Sequence, residues 1–225
     1  ILHEARFPRM IDRYMALGFP ANLALSANQL PEAPLFPRLT TDQASQDRLV
    51  TAHGLDCSRL VAICPGAEFG PAKQWPIDHF SDLVTRLIDD GYQIVLLGSP
   101  NDADDSRRLT DQIEESKRES LVNLAGLTSI PEAVDVIELS KAVVTHDSGL
   151  MHVAAATGRP LVALFGPSSP EHTPPLSEMA VTLTHPVPCH PCFERECPLE
   201  HQACLSELSV DEVFDAVSQQ IQRIA

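Results

Sequence analysis

The chain has 225 residues, 44% of them hydrophobic, which suits one large domain with a buried core, or one domain with part of another. Sixteen basic residues against 31 acidic ones leave a formal net charge of -15, so the basic footprint needed for non-specific nucleic-acid binding is absent. No apolar run reaches the roughly 18 residues of a membrane-spanning helix, and none is predicted.

The first ten residues, ILHEARFPRM, have neither an initiator Met nor the charged-then-apolar pattern of a signal peptide. They read as the interior of a longer polypeptide; a mature end exposed by processing is the alternative. Phe7, Met10, Ile11, Tyr14, Met15 and Leu17 recur at helical spacing, which predicts a helix over 3–18, ended by Pro20. Residues 26–57 read as a linker holding Pro31, Pro34 and Pro37, with a short helix at 42–53, and the compact domain is expected from Ser58. Strands are then predicted at 60–64, 93–97, 121–124, 142–145 and 161–165. Helices are predicted at 77–90, 102–116, 130–140 and 149–157. Residues 167–207 are Pro-rich and read as irregular. Ser209 caps a last helix over 210–224, with Glu212 at the capping-box position.

Apolar, non-alternating strands that alternate with helices imply an α/β fold: a Rossmann-like parallel sheet with helices on both faces. Ligands bind such sheets at the carboxyl ends of strands. Those ends carry Pro65-Gly66-Ala67, Gly98-Ser99-Pro100, Asp147-Ser148-Gly149 and Gly166-Pro167-Ser168. Neither GxGxxG nor Walker A spacing is present. The joint at Asp147 opens a helix whose first turn has unpaired N–H groups and the positive end of its dipole, which favours phosphate. The bland reading is a capped helix with a glycine. An acid repels phosphate, so Asp147 is expected to orient the loop or meet a hydroxyl. His152, four residues after Ser148, is either a hydrogen-bonded core histidine or a donor to phosphate or sugar. Lys73 is either a solvated lysine or a point charge for a diphosphate. Trp75 is expected in the core.

The segments PGAEFGPAKQWP, NLAGLTSI and DSGLMHVAAATGRPLVALFGPSSPEHTPP, with the C-terminal helix, resemble the lipopolysaccharide heptosyltransferases of glycosyltransferase family nine. The resemblance covers nearly the whole chain. It implies the GT-B fold, two Rossmann-like domains facing across a cleft, of which 58–225 would be the C-terminal nucleotide-sugar domain and 1–25 the end of the N-terminal acceptor domain. It implies an inverting transfer of heptose from ADP-heptose to the lipopolysaccharide inner core, in the cytoplasm, with peripheral contact at the inner membrane left open. The catalytic base would lie in the N-terminal domain, outside this sequence. Lys73 would bind the donor diphosphate and stabilise the leaving group, and the amides of Ser148, Gly149 and Leu150 would hold phosphate. Asp147 and His152 would stand at the sugar or phosphate edge, Gly66 and Ala67 beside the leaving group, Thr128 at the adenine and Asp102 on the ribose. No cofactor is required for this chemistry. Another nucleotide sugar, an epimerase, or a non-catalytic nucleotide-binding module are the alternatives.

Four of the six cysteines, Cys189, Cys192, Cys197 and Cys204, fall in the stretch CHPCFERECPLEHQAC. They match a structural zinc site in ligand number, though not in a standard spacing, with His190 and His201 as spare ligands. Free thiols or two disulfides are the other readings, the latter disfavoured in a reducing compartment.

Overall fold

A computed structural model describes residues 6–20, 23, 25–30 and 36–224. The expected helix positions 3–5 and the linker prolines Pro31 and Pro34 lie outside the described residues. Five of the six strands are those read from the sequence: β1 (Leu60–Cys64), β2 (Gln93–Leu96), β3 (Leu121–Asn123), β4 (Ala142–His146) and β5 (Leu161–Phe165). The sixth, β6 (Ala180–Thr184), was not expected. All pair in parallel in the order β3-β2-β1-β4-β5-β6.

Strand residues alternate between two cores although nearly all are apolar. Val61, Ile63, Ile94, Leu96 and Val144 face one layer; Leu60, Ala62, Val95, Val143 and Phe165 face the other. Both faces being covered is why no polar alternation shows in the sequence. The first layer is α3 (Ile77–Asp89), α4 (Ala103–Gln112) and α8 (Val210–Gln222), packed through Phe80, Leu83, Leu109 and Val213. The second is α2 (Gln43–His53), α5 (Ile130–Leu139) and α6 (Gly149–Thr157), through Leu49, Val136, Ile137 and Met151. The Ala-rich α6 lays Ala154 and Ala155 against the sheet and ends at Gly158, whose φ of 77° is the left-handed conformation that glycine adopts without cost. Ser209 and Glu212 form the expected capping box at α8, with Glu212 N donating to Ser209 Oγ at 3.2 Å.

Several expectations need correction. The stretch read as linker up to residue 57 is partly core: α2 buries Leu49, Leu55 follows it into the same cluster, and Asp42 N donates to Asp135 Oδ1 of α5 at 3.1 Å. The helix read over 3–18 is α1, Met10–Ala16, docked by Met10 N on the His172 carbonyl at 2.9 Å. The helix read over 102–116 ends at Gln112, where Ile113 turns extended. The stretch read as irregular holds β6 and the one-turn α7 (Ala203–Ser206). β6 is a half-exposed strand at the sheet edge, ordered by its pairing with β5 rather than by an apolar run of its own. Among the described residues no helix is long and apolar enough to cross a membrane.

Candidate functional site

The strand order reverses direction between β1 and β4, where neighbouring loops leave the sheet in opposite senses and open a crevice at their carboxyl ends. Cys64 pairs in register with Thr145 there, so the loop 65–76 after β1 and the joint 147–148 after β4 start side by side.

His146, the last residue of β4, is fully buried. Its Nε2 accepts the Trp75 backbone N–H at 2.8 Å, and Nδ1 stands 3.2 Å from the Gly66 carbonyl, to which it donates in the tautomer those partners assign. Burial holds its pKa down at about 4; the Gly66 bond opposes this, Lys73 adds to it, and Asp147 opposes it. The ring is therefore neutral and pins both ends of the loop 66–75. Trp75 fills the core beneath, as expected, with Nε1 donating to the Leu208 carbonyl at 2.9 Å.

Within that loop Lys73 does not reach into solvent. Its Nζ donates to Asp147 Oδ2 at 2.6 Å and to the Asp147 carbonyl at 3.2 Å, with side-chain exposures of 13% and 7% for the two residues. Thr173 Oγ1 donates to Asp147 Oδ1 at 3.3 Å. Asp147 thus meets a hydroxyl, one of the two expectations from the sequence, and also orients the lysine, which was not expected. An ammonium has three donors, so one N–H of Lys73 remains beyond these two bonds.

Ser148 is the N-cap residue of α6, yet its side chain makes no cap bond; its Oγ pairs with Thr145 Oγ1 at 3.2 Å. Among the described residues, no N-cap side chain bonds the first-turn amides of α6, which include Gly149 and Leu150. Among the described residues, a Cβ built on Gly149 would meet nothing within 4 Å outside its own helix and chain neighbours, so the space beside Gly149 is open. His152, one turn on, is exposed at the mouth of a cavity of about 270 Å³ walled by Met10, Ile11 and Tyr14 of α1 and by His172 and Thr173. The flanking walls desolvate its imidazole and lower its pKa; Asp147 opposes this and Lys73 reinforces it.

Asp102 lies across from Gly66. Its Oδ2 accepts from Ser99 N at 2.7 Å and from Ser99 Oγ at 2.8 Å, and a Cβ on Gly66 would stand 2.1 Å from its Cγ. A side chain at position 66 would have to displace the Asp102 carboxylate from its bonds to Ser99. Gly66→Ala is expected to lower unfolding stability by about 1–3 kcal/mol, and Asp102→Ala in the same chain to recover part of it. Urea unfolding of the double-mutant cycle reads this coupling; strictly additive losses would rule the clash out. The Cys64 thiol beneath is pushed up to about 12 by burial and by Asp102, so it stays neutral and is no nucleophile. Ala67 is half-buried beside Gly66, and Thr128 is half-buried in the loop after β3. That loop is tied to the β2 end by Gly126 N donating to the Gly98 carbonyl at 3.0 Å.

A profile of glycosyltransferase family 9 (heptosyltransferase) matches residues 1–203. Lipopolysaccharide heptosyltransferase 2 of Escherichia coli K12 is 44% identical over 181 residues, which are 80% of this chain and 52% of that protein. Lipooligosaccharide heptosyltransferase 2 of Haemophilus influenzae Rd is 44% identical over 182 residues, 79% of this chain and 52% of its own. The chain belongs to glycosyltransferase family 9. The solved structure of the Escherichia coli ADP-heptose heptosyltransferase II superimposes on all of it with a TM-score of 0.87 at 38% identity, covering 66% of that chain. This family 9 chain therefore spans about half the length of the curated relatives it matches.

The structure gathers Gly66, Ala67, Lys73, Asp147, Ser148, Gly149 and Leu150 at one crevice, with Asp102 against Gly66 and His152 one helical turn away. Sequence reasoning missed His146, which lies one residue beyond the strand read over 142–145, and Thr173, which lies in a stretch without periodicity. Ser168, in the strand-end triplet Gly166-Pro167-Ser168 named from the sequence, has a buried hydroxyl with no partner among the described residues. The sequence held one signal for His146: a polar ring that follows the apolar run Ala142-Val143-Val144 and stands directly before Asp147.

Proposed function

We propose that the chain is the donor-binding half of an inverting GT-B glycosyltransferase that moves heptose from ADP-heptose to the lipopolysaccharide inner core. The observation that carries this reading is the Lys73–Asp147 ion pair set at the β1/β4 crevice beside the uncapped first turn of α6. The turn's amides take phosphate oxygens, and the remaining Lys73 donor meets the leaving diphosphate as its charge grows. That is stabilisation by groups already in place, which costs no reorganisation during the reaction. Asp147 is neutralised by Lys73, so it aims the cation without repelling the diphosphate. Leu127 and Ile130, 73% and 74% exposed on either side of Thr128, offer an apolar wall for the adenine. Gly66 and Ala67 border the leaving group, Asp102 the ribose, and His152 the heptose side.

The acceptor and the base that deprotonates its hydroxyl belong, in this reading, to the half of the relatives that this chain does not span. Attack from that side inverts the anomeric centre as ADP leaves on the other. The place of action is the cytoplasmic face of the inner membrane, reached without simple electrostatic adhesion, since a net charge of -15 is repelled by anionic lipid. Calorimetric titration with ADP, ADP-heptose and UDP-N-acetylglucosamine tests the reading. Binding confined to the two adenine ligands is expected. Binding of the uridine sugar instead would replace the donor while keeping the crevice, and no binding by the folded chain would remove the donor role.

A further inference from the structure

Residues 193–195 bridge the loop after β1 and the loop after β5. Phe193 N donates to the Pro167 carbonyl at 2.8 Å, and the Phe193 ring stands edge-on to His172 at 5.7 Å between centroids. Two residues on, the Arg195 carbonyl accepts Ala72 N at 3.1 Å. Gly70, with φ at 151°, brings its loop against that same carbonyl: a Cβ there would stand 2.6 Å from the oxygen. The segment therefore takes its position from the crevice loops. Cys189, Cys192, Cys197 and Cys204 around it are free thiols, and among the described residues no group of three or more His, Cys, Asp or Glu side chains is placed to hold a metal ion.

This placement sets the Arg195 guanidinium 5.2 Å from the centroid of the Phe69 ring, the same ring that Lys73 Nζ approaches at 4.7 Å. An aromatic face attracts cations, and this ring is shared by two, which stand within about 10 Å of each other. They differ in what else they hold. Lys73 is bound to Asp147. Arg195 is exposed, and among the described residues no carboxylate pairs with it and no oxygen accepts its N–H donors. Other arginines of this acidic chain behave differently. Arg86, Arg107, Arg108 and Arg159 each find a carboxylate, although Arg107 and Arg108 are 70% and 71% exposed. Arg195 has Glu194 and Glu196 as neighbours in sequence and pairs with neither.

The crevice itself is short of positive charge. Lys73 and Asp147 cancel, and the N-terminus of α6 supplies roughly half a positive charge. A nucleotide-sugar diphosphate carries a negative charge on each phosphate, and Arg195 stands beside the crevice with its donors unspent. We propose that Arg195 is a second diphosphate-binding residue of the donor site, reaching the phosphates from across Phe69 while Lys73 holds them from the crevice floor. Its planar fork of N–H groups matches phosphate oxygens. Two charge-assisted hydrogen bonds of about 2.8 Å take up much of the separation between the two cations, and the diphosphate fills the rest. Phe69 keeps the like charges apart and attracts both. As ADP departs, Arg195 meets charge that Lys73, bound to Asp147, offsets only in part. The assignment rests on the donor reading.

Calorimetric titration of the 225-residue chain with ADP, adenosine and inorganic pyrophosphate tests the proposal. Arg195→Gln should weaken binding of ADP and of pyrophosphate by about tenfold, the loss of a charge-assisted contact, and leave adenosine unchanged. Arg195→Lys keeps the charge but not the fork and should regain part of that affinity. The bond that seats the segment on Ala72 runs through the Arg195 carbonyl, so neither substitution should shift urea unfolding. ADP and pyrophosphate binding both unchanged by Arg195→Gln would overturn the assignment and leave the donor reading standing. Weakened pyrophosphate with ADP unaffected would also overturn it, by moving the arginine to a phosphate other than the donor's. Equal loss of ADP and adenosine would reduce the side chain to a structural role. A parent chain that binds pyrophosphate through Arg195 but not ADP would sink the donor reading alone, and one that binds neither would sink both.

Discussion

Lys73→Met is expected to weaken ADP binding by about 10–100-fold, the loss of one charge-assisted hydrogen bond worth roughly 1.5–3 kcal/mol. The substitution keeps the length of the side chain and its contact with Phe69 but removes the cation. It also strands the Asp147 carboxylate, 7% exposed and then held only by Thr173. Removing one partner of a buried pair typically costs about 3–5 kcal/mol in stability. The two effects separate in the double variant Lys73→Met, Asp147→Asn. Its amide needs no counter-charge, so much of the stability should return. Its ADP affinity should not, because binding depends on the cation and not on the fold. Calorimetry beside urea unfolding measures both. Unchanged affinity in Lys73→Met would remove the lysine from the diphosphate site, and recovered affinity in the double variant would show that only folding had been disturbed.

That pair also marks the limit of what the sequence reveals. Lys73 and Asp147 are 74 positions apart, and nothing in their spacing links them. They meet because β1 and β4 are neighbours at the reversal of strand order, and order is set by crossovers rather than by any local pattern. The central strands were legible because their burial on both faces forces continuous apolar runs such as LVAIC and LVALF. The joint at Asp147 was legible because a polar tripeptide interrupts such a run. β6 was not, because an edge strand needs only half an apolar face, and Ala180–Thr184 (AVTLT) alternates apolar residues with threonine inside a Pro-rich stretch. Asp102 was singled out only through the resemblance, and its bonds to Ser99 and its contact with Gly66 depend on two strand ends meeting.

His146→Phe is expected to cost about 2–5 kcal/mol, because it leaves the Trp75 N–H and the Gly66 carbonyl buried without their partner. A second signature lies in the pH dependence. The folded pKa of His146, about 4, lies below the 6.5 of an unfolded histidine, so in that window the unfolded chain takes up a proton that the folded chain refuses. The stabilisation is fully present above pH 6.5 and is lost as pH falls to about 4. At about 1.36 kcal/mol per pH unit, the full gap is worth roughly 3 kcal/mol. Lys73 and Asp147 face the same ring with opposite charges and remain in the variant, so comparing it with the parent isolates the histidine. Urea unfolding across the window should show a slope in the parent that His146→Phe lacks. His146→Gln, which can still accept from Trp75 and donate to Gly66, should regain stability at neutral pH without regaining the slope. Because the ring holds both ends of the loop bearing Lys73, ADP affinity should fall with His146→Phe by about tenfold and return in part with His146→Gln. An unchanged slope in His146→Phe would mean that another group titrates there, and unchanged affinity would mean that the loop holds its shape without the histidine.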